Sequence, residues 1–416
     1  MPLTTGSADG EGMLSGEASS VGIEALFGSV TVRDHSALLS GFSWVAPETV
    51  KTYARPTFIS YSFPTKVPSQ TEALYPFATS TWAAFNAAER GLARAALKAW
   101  GDACGVTFIE VKGGKGDILF NWMKFGAIGE SSAEAFGYYP VGDNRFATAL
   151  NGFIPDAGDI YVKAENRKRF AADPNYLKHV LLHEIGHALG LKHPFGMTWS
   201  NNHVLASDLD NTQQTVMSYD GSDVVLGPFD RAAVTALYGD PSRDGSQVRF
   251  WKWDASKQTL SQVGKSATDN IYGISVRDVI KAGGGHDKIW GFAGDDTING
   301  GSGSDLISGG AGHDAFVFNA PLSRTKNVDR ISDFSPTDDV IRLENAIFKS
   351  LSKAGALSPD NFCLGKAAAD ADDHVLYDPA SGTLAYDPDG SGSTAPIRFA
   401  VLKNLPSFTA ANVFVI

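Results

Sequence analysis

The sequence predicts an α/β domain with a mixed sheet, followed by an all-β domain that winds its strands into a parallel β-roll. Up to about residue 240, short period-two runs alternate with helical periodicity, the mark of interleaved strands and helices. From residue 282 the text falls into a nine-residue Gly/Asp repeat, a period that takes precedence over any other assignment. Between the two patterns lies GDPSRDGSQ (239–247), a linker-like run of Gly, Asp, Pro and Ser. The expected boundaries are therefore 1–30 for a flexible tail or propeptide, 31–241 for the first domain and 242–416 for the second.

Taken in order, residues 1–30 are rich in Gly, Ser and Glu and carry no period. Residues 57–63 alternate, with Ile59, Tyr61 and Phe63 on one face and Ser60 and Ser62 on the other, which reads as a strand. Phe85, Ala88, Leu92, Ala96 and Ala99 follow at helical spacing. VTFIEV (106–111), DILF (117–120) and GDIYV (158–162) read as short strands, and a second helix is expected over 176–191.

Composition narrows the partners. The formal net charge of -11, from 35 basic and 46 acidic residues, argues against nucleic acid or an anionic membrane and suits bound cations. Apolar runs fall short of the roughly 18 residues that cross a bilayer, so no membrane span is expected. The opening MPLTTGSADGEG has neither a basic stretch nor an apolar core, so no cleavable N-terminal signal peptide is expected. Cys104 and Cys363 lie far apart in different domains and are expected to be unpaired.

The sharpest chemical pattern is HEIGHALGLKH, residues 183–193. His183 and His187 are four apart, so a helix places both imidazoles on one face. Gly190 can adopt positive φ, end the helix and return His193 to the same point. Three histidines leave one tetrahedral position of a zinc ion open to water, the arrangement of a catalytic site. Glu184, beside the first histidine, is placed to take a proton from that water and pass it to the leaving amine. His179 also stands four residues from His183, but it is expected to be a partly buried helix histidine, not a ligand.

This motif, followed by TVMSYD (215–220), resembles the metzincin metallopeptidases, and the Met-Ser-Tyr form is similar to the serralysin subgroup. The resemblance makes the first domain a zinc protease with Met217 in a turn beneath the metal. It implies that Tyr219 is a further zinc ligand at rest, which swings away to hydrogen-bond the oxyanion during reaction. Asp220 departs from the family, which usually carries a bulky aromatic there, and puts the local packing in question. In such a fold an edge strand pairs with an extended peptide, and AEAFGYYP (133–140) is the candidate for that strand or its flank.

From residue 282 run AGGGHDKIW, GFAGDDTIN, GGSGSDLIS and GGAGHDAFV. Asp287, Asp296, Asp305 and Asp314 stand in register, with Ile289, Ile298, Ile307 and Phe316 two places on. Gly285, Gly294, Gly303 and Gly312 allow the tight turns, aspartate supplies the hard oxygen that calcium prefers, and the apolar residue fills the core. Two nonamers complete a coil, which predicts calcium-sharing pairs Asp287/Asp305 and Asp296/Asp314. Asp269 with Ile271 and Asp278 with Ile280 keep the period without the glycines and read as capping turns. Asp329 and Asp333 read as solvated surface charges before they read as ligands of another ion. DPDGSGS (387–393) imitates a calcium-loop start, but Arg398 occupies its twelfth position and rules that out.

The block resembles the RTX repeats of the serralysins, and weak calcium sites belong where the ion is millimolar, outside the cell. By that resemblance the chain is exported from a Gram-negative bacterium by a type I exporter reading an uncleaved C-terminal signal, with which the ending ANVFVI is compatible. The expectation is thus a secreted monomeric zinc endopeptidase, stabilised by calcium, acting on protein or peptide substrates and open to a proteinaceous inhibitor. The competing expectation is a calcium-dependent surface-layer or binding module whose protease domain is inactive.

Overall fold

The computed structural model describes residues 28–44, 57–75, 78–128, 132–140, 157–241 and 248–416. Most of the expected N-terminal tail (to residue 27) and of the 239–247 run lies outside the described residues. The chain divides into two units, Met1–Asp244 and Gly245–Ile416.

In the first unit, β1 (Val30–Val32) pairs in parallel with a strand at His203–Leu205. A separate five-stranded sheet contains β2 (Thr57–Ser62), β3 (Val106–Glu110), β4 (Ile118–Met123), β5 (Ala135–Gly137) and β6 (Ile160–Lys163), in the order β3-β2-β4-β6-β5. Pairing is parallel except for β5, which runs antiparallel to β6 at the edge. All six residues of β2 are buried, serines included. Ser60 tolerates this because its N–H and hydroxyl both donate to Asp117 Oδ2 at 2.7 Å. Period-two alternation here sorts side chains between two packed layers rather than between core and water.

Helix α1 (Ala87–Ala103) opens with a capping box between Asn86 and Glu89. Its buried face is Ala93, Ala96, Leu97, Trp100 and Ala103, together with Glu89. The expected stripe through Ala88, Leu92 and Ala99 is thus rotated by about one position. The cause is the buried charge: Glu89 accepts from Arg167 at 2.7 Å and from Trp122 Nε1 at 3.1 Å, so a carboxylate occupies a core position that hydropathy assigns to solvent. Helix α2 (Pro174–Ala188) starts with proline in its first turn and Asp173 capping Tyr176 N–H at 3.1 Å. It packs on α1, where Trp100 Nε1 donates to Leu182 O at 3.0 Å. The helix stops short of the expected residue 191 because Gly190 takes φ +95. A third helix, α3 (Pro228–Tyr238), returns to this corner, and its Tyr238 hydroxyl donates to Leu189 O at 2.8 Å.

The second unit contains two eight-stranded sheets. Across the repeat, successive short strands alternate between the sheets, and each pairs in parallel with the strand two further on. Ile271, Ile289 and Ile307 stack in one sheet; Ile280, Ile298 and Phe316 stack in the other. All six belong to one apolar core. Gly303 has φ +134, and a Cβ there would stand 1.5 Å from Gly285 O, so neighbouring coils close only over glycine. The ending 413–415 is a strand pairing with residues 341–343.

Candidate metal centre and carboxylate ladders

Helix α2 carries His183 and His187 one turn apart, and the turn at Gly190 brings His193 back against them. A Cβ at residue 190 would meet Phe42 O at 2.1 Å, so both conformation and space demand glycine. His183 Nδ1 lies 2.8 Å from Val216 O and His187 Nδ1 lies 2.7 Å from Leu191 O. Carbonyls only accept, so both rings carry their proton on Nδ1 and present an Nε2 lone pair. Those atoms lie 3.1 Å from His193 Nε2. Burial, then His187 and His193, hold the His183 imidazole well below its ordinary pKa, so a second proton is disfavoured. Imidazole nitrogens gathered at this distance fit a shared cation. Nitrogens about 2.0–2.1 Å from a tetrahedral zinc stand about 3.3 Å apart, close to the spacing observed.

His179 is fully buried, not partly as expected, and its Nδ1 lies 2.8 Å from Asp223 O. The group that can hold a metal among the described residues is His183, His187 and His193.

Beneath the histidines, Met217 is wholly buried against α2. A Cβ on Gly186 would stand 2.3 Å from Met217 Sδ and 3.2 Å from Trp100. Helix propensity alone favours Gly186→Ala by about 1 kcal/mol. Overpacking at this contact costs about 1–3 kcal/mol, so we expect a net loss in thermal or denaturant melts; an unchanged or raised melting temperature contradicts it. The turn is anchored by Asp230, which accepts from Thr215 Oγ1 at 2.6 Å, Val216 N–H at 2.8 Å and Gly227 N–H at 2.8 Å. Burial raises its carboxyl to about 6 against those donors. Asp230 thereby fixes the peptide whose carbonyl orients His183. The sequence reading missed it, although an acidic residue three places into an N-terminal Gly-Pro helix start is a capping signal.

Tyr219 places its hydroxyl 2.9 Å from His193 Nε2. Asp220 is exposed, so the position where an aromatic was expected needs no apolar packing. Phe195, also missed, lies flat on His193 (5.1 Å, 2°) and 5.1 Å from the Tyr219 ring, with 40% of its surface exposed. Glu184 is buried, and β5 crosses beside it: a Cβ on Gly137 would meet Glu184 O at 2.6 Å and Oε2 at 3.3 Å. Within 133–140 only Ala135–Gly137 forms a strand; Tyr139 follows, edge-on to His187 at 5.6 Å.

In the second unit Asp287 N–H donates to Asp305 Oδ1 at 2.8 Å, and Asp296 N–H to Asp314 Oδ1 at 3.0 Å. Asp269 and Asp278 precede them, donating to Asp287 and Asp296. The ladders continue through Asp305 to Asp329 at 3.1 Å and Asp314 to Asp339 at 2.9 Å. Asp329 is therefore buried in the ladder, not a solvated charge as expected. Asp333 is half-buried, accepting from Ser308 Oγ at 2.6 Å, and is no free surface charge either. The Oδ2 atoms of Asp287, Asp296, Asp305 and Asp314 are buried without a hydrogen-bond partner. Burial first, and neighbouring carboxylates after it, push Asp287 and Asp314 up to about 7. Stacked orphan carboxylate oxygens fit a hard cation such as calcium. Gly285, Gly294, Gly303 and Gly312 all have positive φ, from +128 to +139. Cys104 and Cys363 form no disulfide among the described residues, and Cys104 Sγ donates to Trp100 O at 3.3 Å.

The matrixin family profile matches residues 67–239, and the RTX calcium-binding nonapeptide repeat matches residues 272–307 and 290–320. The chain is 31% identical to serralysin G of Dickeya chrysanthemi over 206 residues, 45% of this chain and 40% of that protein. It is 28% identical to the metalloprotease AprA of Pseudomonas entomophila over 237 residues, 50% of this chain and 45% of that one. The matches thus span less than half the length of these relatives. Among solved structures, the AlgE6R3 subunit of an Azotobacter vinelandii mannuronan C5-epimerase is 26% identical over 36% of this chain and 80% of its own, with a TM-score of 0.26 that is too low to argue from.

Proposed function

We propose that this chain, which matches the serralysin-type metalloproteases through its matrixin segment and its RTX repeats, is a secreted zinc endopeptidase held folded by calcium. The observation that carries the reading is the convergence of three buried histidine Nε2 atoms beside Glu184 and the sheet-edge strand β5. A zinc ion held by His183, His187 and His193 supplies Lewis acidity toward water and a peptide carbonyl. Glu184 takes the proton of the attacking water and returns it to the departing amine nitrogen. The Tyr219 hydroxyl donates to the scissile carbonyl oxygen as negative charge develops there. The free edge of β5 pairs with an extended substrate, whose main chain then runs past Glu184.

In the second unit, the carboxylates of Asp287/Asp305 and Asp296/Asp314 would hold calcium, which would neutralise the stacked charges of the proposed β-roll. The RTX repeats and the likeness to serralysins support export from the cell, to surroundings where calcium is millimolar. Our reading keeps the domain boundary near residue 241 and has the protein act as a monomer on protein substrates. The test is casein hydrolysis by protein refolded with calcium. Cleavage that a zinc chelator abolishes and added zinc restores supports the reading. Zinc and calcium uptake without cleavage overturns it in favour of a binding module.

A further inference from the structure

Lys192 immediately precedes His193 and is fully buried, an unusual place for an ammonium group. Its Nζ donates to Gly196 O at 2.7 Å, to His203 O at 2.7 Å and to Ala37 O, and lies 3.5 Å from His193 O. An ammonium has three protons, and a buried cation persists only where oxygens replace its water. These carbonyls come from three places: the 3-10 turn His35–Leu38, the loop after the third histidine, and the strand His203–Leu205.

The same pieces are stitched together around the ammonium. Lys192 N–H donates to Leu38 O at 2.8 Å, and Ser40 donates to Gly190 O through both N–H (3.1 Å) and Oγ (2.6 Å). Thr198 Oγ1 donates to Ser40 O at 2.7 Å, and Asn201 Nδ2 reaches Ser36 O and Leu39 O. The loop carrying His193 is thus not held by α2 alone. We infer that Lys192 is a positioning residue for the third histidine: its ammonium acts as an internal cation that gathers these carbonyls and locks the His193 loop onto the N-terminal segment 28–44. This rests on the zinc reading of the His183/His187/His193 site. Without the charge, three or four buried carbonyls face no donor, they turn away, and His193 Nε2 moves relative to the other two nitrogens.

Lys192→Met keeps the length and removes the charge. Groups that orient a ligand typically change metal affinity about 10- to 100-fold, and that is the expected loss in zinc affinity, measured by chelator competition. The visible absorption of the cobalt-substituted protein should shift as well, since it reports the ligand geometry directly. Arg33→Ala, which breaks the exposed Arg33–Asp208 ion pair (2.6 Å) of the same segment, should leave both readouts unchanged. Should Lys192→Met fail to fold, the native chain serves: coupling is reciprocal, so removing zinc should accelerate acetylation of Lys192, read by mass spectrometry, at least 10-fold. Unchanged zinc affinity and cobalt spectrum in a folded Lys192→Met, or zinc-independent acetylation, overturns the inference and leaves the peptidase reading standing. A wild-type chain that takes up no zinc overturns both.

Discussion

Glu184→Gln is expected to lower peptide hydrolysis by about 10²- to 10⁴-fold while leaving one zinc bound per chain. The reason is positional. Glu184 lies between the two helix histidines in sequence, and its carboxylate reaches the strand edge where Gly137 leaves room for it. Glutamine preserves shape and burial, so the helix, the histidines and β5 stay in place. What it cannot do is accept a proton. The loss should therefore fall on kcat and leave KM nearly untouched, because the edge strand proposed to pair with substrate is unchanged. A Glu184→Gln protein that retains more than about a tenth of wild-type kcat sinks the assignment of Glu184 as the proton carrier.

Removing calcium should unfold residues 245–416 at pH 8, the second large effect. The ladder places like charges on successive rungs, with Asp287 and Asp314 raised to about 7 by burial and by neighbouring carboxylates. Asp305 and Asp329 are raised for the same first reason. A carboxyl whose folded pKa exceeds the unfolded value of about 3.9 contributes stability that is complete below that value and lost as pH climbs through the folded pKa. The cation-free unit is accordingly more stable at pH 5 than at pH 8. Calcium replaces the proton and needs the ionised form, so its affinity rises over the same window and its binding near pH 7 releases protons. Each ion present at about 100 times its Kd adds about 2.7 kcal/mol, so the two ions of the proposed pairs add about 5 kcal/mol, the lower end of the about 5–15 kcal/mol that holds an ordinary domain. Hydrogen exchange should show protection across the unit vanish with chelator at pH 8, survive in part at pH 5, and return with millimolar calcium. Full protection at pH 8 without calcium, or a chelated unit less stable at pH 5, contradicts the ladder account.

Legibility in the sequence followed the locality of the signal. HEIGHALGLKH carries most of its own geometry, since helical spacing and one glycine of positive φ turn the chain back toward the two helix histidines. The nonamers likewise state their register through Asp and the apolar residue two places on. What escaped were features closed by distant partners. The buried face of α1 was misread because Glu89 is neutralised by Arg167, which lies 78 residues away. Asp329 was read as surface charge because the ladder spacing jumps from 18 to 24 residues at that rung. Its neighbour text, Asp329-Arg-Ile331 and Asp339-Val-Ile341, does keep the Asp-x-apolar signature, and Ile331 and Ile341 are fully buried. That short pattern was the available signal once strict periodicity ended. Lys192 and Phe195 act through loops that meet only after folding, and no local periodicity marks them; Asp230 carries a local capping signal, but its hold on the Thr215–Val216 turn forms only after folding.

The central claim is that three histidine nitrogens hold the one zinc on which peptide cleavage depends. Titrating zinc into metal-free, calcium-folded protein while following casein hydrolysis tests it most directly. The account predicts activity that rises in proportion to added zinc and breaks at one equivalent per chain, with His193→Ala remaining inactive throughout. Hydrolysis that is already complete before zinc is added, or a tightly bound equivalent that brings no cleavage, would contradict it.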